Sequence, residues 1–242
     1  MSRRTVAIAA ALSVLVLGSP LTSSCANPLA DNLYNSGVVK QNEGDYQGAI
    51  NFYDKAIEIN PQYADAYSNR GLAKVYLKDY QGAIADCNKA LEINPRYDSA
   101  YNNRGITKRN LKDYQGAIAD YTKAIEINPS HDSAYYNRGI VKYNLNDYLG
   151  AIADYTKALE FNAQYANAYN NRGEAKRKLK DYQGAIADYI KAIEANPKYA
   201  LAYRNRGIAR ELVDDLEGAC LDWRKAVDLG NKRPAEWVNK QC

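Results

Sequence analysis

Apolar residues recur along most of the chain with the three-to-four-residue spacing of amphipathic helices. One such pattern runs from Ala66 to Leu77, and a second runs from Ala83 to Leu91. Pro95 follows the second pattern, and proline disfavours helical geometry in the residue before it. The pattern therefore predicts two antiparallel helices joined by a short turn.

The same pair of patterns is written six times at a strict spacing of 34 residues, with no insertion. One glycine marks each copy, at Gly37, Gly71, Gly105, Gly139, Gly173 and Gly207. A second series of glycines marks the later half, at Gly48, Gly82, Gly116, Gly150, Gly184 and Gly218. We therefore predict six helix pairs, in units 30–63, 64–97, 98–131, 132–165, 166–199 and 200–233.

The repeating unit resembles the tetratricopeptide repeat. In the second unit the resemblance rests on Gly71, Tyr80, Ala83, Cys87, Ala90 and Pro95. It implies an all-α fold, a right-handed superhelical solenoid of antiparallel helix pairs whose first helices line a concave groove. It also implies binding of peptide segments or partner proteins without catalysis. Tyrosine replaces the family's usual tryptophan, and Ala163 replaces proline in the fourth unit, but neither departure puts the fold in doubt.

The end of the chain is predicted to cover the last unit. A solenoid contacts only its neighbours, so a final unit needs a cap. Residues 234–242 begin with proline and fit a short capping helix with Trp237 as its apolar plug. Such a helix, packed antiparallel, brings Cys220 and Cys242 together, which predicts a disulfide; two unpaired thiols are the alternative.

An asparagine occupies one place in every first helix, although asparagine is a mediocre helix former. Two roles stay open. By resemblance to peptide-glycosylating enzymes that carry such repeats, the amides hold the backbone of an extended peptide, because an amide donates and accepts at once. In that case the side chains are free of neighbouring units; alternatively, they bridge neighbouring helices. This amide row is Asn35, Asn69, Asn103, Asn137, Asn171 and Asn205.

Apolar and larger side chains follow the amide row on the same helical face. Together they predict a groove for an extended segment with alternating apolar side chains. The alternative is that they only pack on adjacent first helices. The candidate groove residues are Leu72, Ile106, Ile140, Tyr143, Arg109 and Arg177.

Arginine on the first helices and aspartate on the second helices recur together. The first unit lacks both, having Ser36 and Phe52, and this joint loss predicts an Arg–Asp pair within each other unit. An atypical terminal repeat is the alternative explanation of the loss. The opposite interpretation is a recognition module for a small-molecule, glycan or anionic ligand through the Arg and Lys rows. The pairs predicted are Arg70–Asp86, Arg104–Asp120, Arg138–Asp154, Arg172–Asp188 and Arg206–Asp222.

Composition argues against other classes of function. His131 is the one histidine and no C-x-x-C pair occurs, which disfavours metal sites. The formal net charge of +4 is too small to indicate nucleic-acid binding. No nucleophile–base pair or phosphate loop is found, so we expect no enzyme and no cofactor.

The first 26 residues have the layout of an export signal. Arg3 and Arg4 precede an apolar run, Val6–Gly18, that is too short to span a bilayer. Cleavage after Ala26 gives a released protein, whereas lipidation of Cys25 gives a membrane-attached lipoprotein. An uncleaved anchor is the third alternative. We expect an exported scaffold in the periplasm or thylakoid lumen that assembles an envelope or membrane complex with a protein partner.

Overall fold

The computed structural model describes residues 27–242, and these form helices joined by short turns. The predicted export signal and Cys25 lie outside the described residues. The helices are α1 (Pro28–Asn42), α2 (Tyr46–Ile59), α3 (Ala64–Tyr76), α4 (Tyr80–Ile93), α5 (Asp98–Asn110), α6 (Tyr114–Ile127), α7 (Asp132–Asn144), α8 (Tyr148–Phe161), α9 (Ala166–Lys178), α10 (Tyr182–Ala195), α11 (Ala200–Glu211), α12 (Leu216–Asp228) and α13 (Ala235–Gln241).

The helices stack as consecutive pairs into an all-α superhelical solenoid. Each first helix packs on its own second helix, and each second helix packs on the next first helix. Successive first helices also contact one another, whereas within residues 27–242 successive second helices do not. The first helices therefore line the inner, concave side, as the resemblance to the tetratricopeptide repeat implies.

Each pair closes on a glycine of its first helix that faces one buried side chain of its second helix, an aromatic residue in all units but the second; we call this position the core slot. A Cβ atom at Gly105 would lie 2.6 Å from Cε1 of Tyr121, so only glycine lets α5 and α6 approach this closely. All core-slot side chains are buried. The core slot is filled by Tyr53, Cys87, Tyr121, Tyr155, Tyr189 and Trp223.

The second series of glycines lies in the first turn of each second helix, next to the aspartate that caps that helix. Asp113 ends the turn, and its side chain accepts a 2.9 Å hydrogen bond from the backbone N–H of Gly116, which caps α6. A Cβ atom at Gly116 would collide with that carboxylate. The preceding residue, Lys112, has a left-handed φ of 64°, a conformation that the first unit gives to Gly44.

The last unit carries the predicted cap. Helix α13 packs on α12, and the ring of Trp237 lies 5.2 Å from that of Trp223. Cys220 and Cys242 form a disulfide, with their Cα atoms 5.6 Å apart. Arg224 Nη2 also donates to the carbonyl of Cys242 at 3.0 Å. The cap is thus held by a covalent bond, an aromatic contact and a hydrogen bond.

Across residues 27–242, no helix combines the length and apolar character needed to cross a membrane.

Candidate functional site

The amide row is not free of neighbouring units, and that expectation was wrong. Asn137 Nδ2 donates to Asn102 Oδ1 at 3.1 Å, across the boundary between α7 and α5. Asn103 Nδ2 donates to Ser68 Oγ at 3.0 Å, and both asparagines are buried. The reason is stacking: the first helices lie side by side, and the asparagine of one unit meets the previous unit 35 residues earlier.

The partners of the amide row form an acceptor row that the sequence analysis missed. Each member directly precedes an asparagine of the amide row, and each can accept a hydrogen bond although the residue types differ. Five bridges result, because Asn35 has no preceding unit and is exposed. The bridges are Asn69 to Tyr34, Asn103 to Ser68, Asn137 to Asn102, Asn171 to Tyr136 and Asn205 to Asn170.

The predicted Arg–Asp pairs are confirmed in units two to six. In the third unit, Arg104 Nε and Nη2 bind the two carboxylate oxygens of Asp120 at 2.9 and 2.7 Å. Lys108 Nζ binds the same carboxylate at 2.7 Å. The remaining Arg104 nitrogen, Nη1, donates to Asn88 Oδ1 of the previous unit at 2.7 Å, and the arginines of units two, four and five reach the previous unit in the same way.

The arginine, lysine and aspartate side chains of these pairs neutralise one another and leave little net charge to attract a ligand. The carboxylate of Asp120 retains 6% of its side-chain exposure, and Arg104 retains 20%. The hydrogen bonds that Arg104 donates to Asp120 raise the pKa of the Arg104 guanidinium. The guanidinium also lies 5.4 Å from the ring centroid of Tyr101. Since the arginines and lysines are engaged in ion pairs, this arrangement supports a scaffold rather than an anion-binding surface.

Two cavities open between first helices on the concave side. The first, of about 360 Å³, is lined by Leu72, Ile106, Arg109 and Asn137, and we call it the Leu72 cavity. Several candidate groove residues therefore meet in one depression. Its walls are apolar with a few polar groups, which is the usual character of a binding pocket.

The second cavity, the Ile140 cavity, has a volume of about 200 Å³. Ile140, Tyr143, Asn171 and Glu174 line it. Glu174 stands where the other units have an apolar residue, and it accepts from Nε of Arg177 at 2.9 Å. The positive charge of Arg177 and the negative charge of Glu174 therefore offset each other at the cavity.

The phenol of Tyr143 and the guanidinium of Arg177 both stay protonated at the Ile140 cavity. The Tyr143 hydroxyl donates to Glu174 Oε1 at 3.3 Å. Burial, reinforced by the Glu174 carboxylate, raises the pKa of Tyr143 to about 12. Hydrogen bonds to Glu174 raise the pKa of the Arg177 guanidinium. The phenol therefore stays a hydrogen-bond donor at neutral pH.

At the Leu72 cavity, Arg109 reaches into the amide row. Its Nη1 donates to Asn137 Oδ1 at 3.2 Å, so this asparagine uses both ends of its amide within the protein. Asn171 is occupied likewise, because its Oδ1 accepts from Asn170 Nδ2 at 3.2 Å. The amide row thus forms the floor of the groove, and the apolar and arginine side chains form its walls.

Protein-family models match most of the repeat region. A tetratricopeptide-repeat model matches residues 64–97, 99–131 and 166–199. A TPR-repeat model matches residues 42–77, and a further tetratricopeptide-repeat model matches residues 120–153. A search of curated proteins by sequence finds no match.

Many solved structures share this shape. YrrB, a TPR protein with an unusual peptide-binding site, is 23% identical and covers 78% of this chain and 98% of its own, with a TM-score of 0.62. Pseudomonas aeruginosa PilF is 19% identical and covers 88% and 98%, with a TM-score of 0.76. PilW, a widely conserved type IV pilus biogenesis factor, is 18% identical and covers 89% and 100%, with a TM-score of 0.78. At these identities the likeness shows a shared fold.

Proposed function

Because the chain belongs to the tetratricopeptide repeat family, whose members bind protein or peptide partners, we propose that its concave groove binds an extended segment of a partner protein. Apolar side chains of that segment enter the Leu72 and Ile140 cavities. The protein acts as a scaffold and carries out no reaction.

The observation that carries this proposal is the pair of cavities on one face. Both lie between first helices, and the lining of both combines apolar side chains with amide and charged groups. An extended segment presents alternate side chains to one side, so two successive depressions suit it better than a compact ligand. The rigid amide row beneath them keeps the groove preformed, which lowers the entropic cost of binding.

The test is peptide selection followed by substitution. Twelve-residue random peptides, roughly the length that spans these units in extended form, are selected for binding to the full-length protein. Affinity of a selected peptide is then measured by fluorescence anisotropy. We expect Ile140→Glu to weaken binding at least tenfold, since it places a charge in the apolar Ile140 cavity.

The matched control is Leu149→Glu on α8, which makes the same kind of change at a side chain that is 72% exposed. It should leave affinity unchanged, and circular dichroism should show both variants folded. Equal effects of the two variants, or a selection that yields no binding peptide, would contradict the proposed groove.

We further propose that the protein works in the cell envelope, in the periplasm or thylakoid lumen, where it assembles a membrane complex. The layout of residues 1–26 supports export. The Cys220–Cys242 disulfide suits an oxidising compartment. PilW, which has the same fold, is a type IV pilus biogenesis factor, and this similarity favours a role in assembly at the cell envelope.

Fractionation with a fatty-acid label tests this placement. Lipid attachment at Cys25 predicts a labelled, membrane-bound protein that Cys25→Ser converts to an unlabelled one. A protein that is released into the periplasm without label would instead support cleavage after Ala26. Recovery in the cytoplasm with residues 1–26 intact would contradict export altogether.

A further inference from the structure

The core-slot tyrosine of the third unit has a hydroxyl without a partner. Tyr121 is fully buried, and within residues 27–242 its hydroxyl oxygen makes no hydrogen bond. A buried polar group in this state is unfavourable for the free protein. We propose that the Tyr121 hydroxyl binds an amide carbonyl oxygen of the partner segment, behind the Leu72 cavity. This inference rests on the proposed peptide-binding function and deepens it.

The hydroxyls of the core slot face the groove side of the first helices. In the fifth unit Tyr189 donates to Glu174 Oε2 at 3.2 Å, and Glu174 lines the Ile140 cavity. In the fourth unit Tyr155 lines that cavity itself. In the first unit Tyr53 donates to Gln41 Oε1 at 3.1 Å, again on a first helix. The slot tyrosine of the third unit occupies the equivalent place in the repeat, so its hydroxyl faces the groove as well.

The third unit has lost both of the acceptors that serve the other units. Ile106 stands where the fifth unit has Glu174, and Arg109 stands where the first unit has Gln41. Isoleucine has no polar group, and arginine carries only donors. Arg109 is moreover turned to the amide row, where its Nη1 donates to Asn137 Oδ1 at 3.2 Å. The side chains at these two places therefore leave the hydroxyl to a ligand.

Tyr121 lies one side chain behind the wall of the Leu72 cavity. Ile106 and Arg109 both line this cavity. Ile106 also packs against the buried cluster that contains Tyr121. Burial raises the pKa of Tyr121, and the positive charge of the nearby Arg109 opposes that rise. Arg109 is partly exposed, so rotation of its side chain away from Asn137 connects the cavity with the hydroxyl.

The surroundings of the hydroxyl favour a neutral acceptor. The hydroxyl supplies one donor, and Arg109 supplies several more once it leaves Asn137, so a carbonyl oxygen satisfies both side chains. A charged acceptor would lose its hydration at this buried place, which is costly. An extended segment carries a carbonyl oxygen at every residue. The contact therefore holds the backbone of the segment, whereas the two cavities select its side chains.

The experiment makes the same substitution in two core slots. Tyr121→Phe removes the hydroxyl alone, and the urea midpoint of the free protein should stay equal or rise, because no hydrogen bond is lost. The probe is a selected peptide that responds to both Leu72→Glu and Ile140→Glu. Its affinity, measured by fluorescence anisotropy, should fall roughly two- to tenfold, the size of one neutral hydrogen bond.

Tyr53→Phe is the matched control and should give the reverse pattern. Its urea midpoint should fall, since the hydrogen bond to Gln41 is lost. Its affinity for the same peptide should not change, because Tyr53 lines neither cavity. A lower urea midpoint for Tyr121→Phe would contradict the unpartnered hydroxyl on which the inference depends.

A second variant tests the geometry. Arg109→Gln gives the third unit the residue that binds the slot tyrosine in the first unit. It should raise the urea midpoint by satisfying the Tyr121 hydroxyl, and weaken peptide binding by occupying it. The double variant should bind the peptide no more weakly than the weaker single variant. Additive losses would show that Arg109 and Tyr121 act independently and would contradict the shared site.

Peptide chemistry identifies the carbonyl. An ester in place of one amide bond weakens the carbonyl oxygen of that bond as an acceptor. If one ester position reproduces the loss and is not additive with Tyr121→Phe, a main-chain carbonyl occupies the site. If alanine in place of a peptide Asn or Gln does so, a side-chain amide occupies it. A peptide that responds to Leu72→Glu and Ile140→Glu, yet binds Tyr121→Phe as tightly as the native protein, would overturn this inference and leave the proposed function intact.

Discussion

The carboxylate of Asp120 pairs with two cationic side chains, those of Arg104 and Lys108. Removing the negative charge of Asp120 gives the sharpest test of what stabilises the solenoid. Asp120→Asn keeps the shape of the side chain and removes its charge. Arg104 and Lys108 then face each other across a neutral amide. The variant therefore leaves two positive charges without their shared anion.

The expected loss lies between two limits. Breaking a fully buried ion pair destabilises a protein by about 3–5 kcal/mol. An exposed pair contributes about 0.2–1 kcal/mol. Asp120 is buried, but Arg104 and Lys108 keep 20% and 23% of their side-chain exposure, so water partly compensates them. We expect a loss of about 2–3 kcal/mol.

The matched control lies on the same helix. Glu126→Gln makes the same change of charge on α6, at a carboxylate paired at 3.0 Å with Lys123, where both side chains are about half exposed. It should cost about 0.5 kcal/mol at most. Equal losses for the two variants would refute the argument that burial of the carboxylate decides the energy.

Native-state hydrogen exchange of the α6 amides is the appropriate assay. A solenoid need not unfold in one step, because each unit contacts only its neighbours. Exchange reports the free energy of opening of one helix. Urea unfolding followed by circular dichroism gives the global value for comparison.

Four further outcomes are expected. Asn137→Ala should destabilise the protein by about 1–3 kcal/mol in urea unfolding, since a buried bridge is lost, whereas Asn35→Ala at the equivalent exposed place should change nothing. Lys112→Gly should raise stability by about 0.5–1 kcal/mol, because φ is 64° there; a lower unfolding midpoint would contradict this. Cys220 and Cys242 should resist alkylation without reductant in mass spectrometry, and Cys242→Ser should cost roughly 3 kcal/mol in the chain-entropy model; free alkylation of both would refute the pairing. Burial raises the pKa of the core-slot tyrosines above 10.0, so their contribution to stability is full below pH 10 and is lost as pH rises further; ionisation of every phenol near pH 10 with unchanged helicity would oppose this.

The repeat pattern predicts the helices because each unit is decided locally. Glycine faces the core slot within one pair, and proline or the asparagine before it ends the second helix at the same place in most units. The Arg–Asp pairs were also predictable, since the first unit loses both partners together. The first unit has Ser36 and Phe52 at these two places, and that joint loss indicated that the two positions are paired in the other units.

The role of the amide row was harder to predict because it depends on how units stack. The bridge from Asn137 reaches an acceptor 35 residues earlier in the chain. In other units the acceptor at the equivalent place is a tyrosine or a serine. Tyrosine and asparagine each occupy that place in two of the bridged units and serine in one, so the row is hidden from a search for one identical residue in every unit. A search for shared hydrogen-bonding capacity would have found it. The cavities depend on the curvature of the stack and are likewise invisible in a linear pattern.

The contacts between units also bear on how such a chain changes length. Arg104 reaches Asn88 sixteen residues away, and each amide bridge spans 35 residues, whichever interior unit is considered. Deletion or duplication of 34 residues by unequal recombination therefore rejoins surfaces that carry the same contacts, and the groove becomes shorter or longer. Only the ends resist exchange: the first unit carries Ser36 and Phe52, and the last carries the disulfide-bonded cap. In evolutionary terms, the interior units are interchangeable, whereas the first and last units are not.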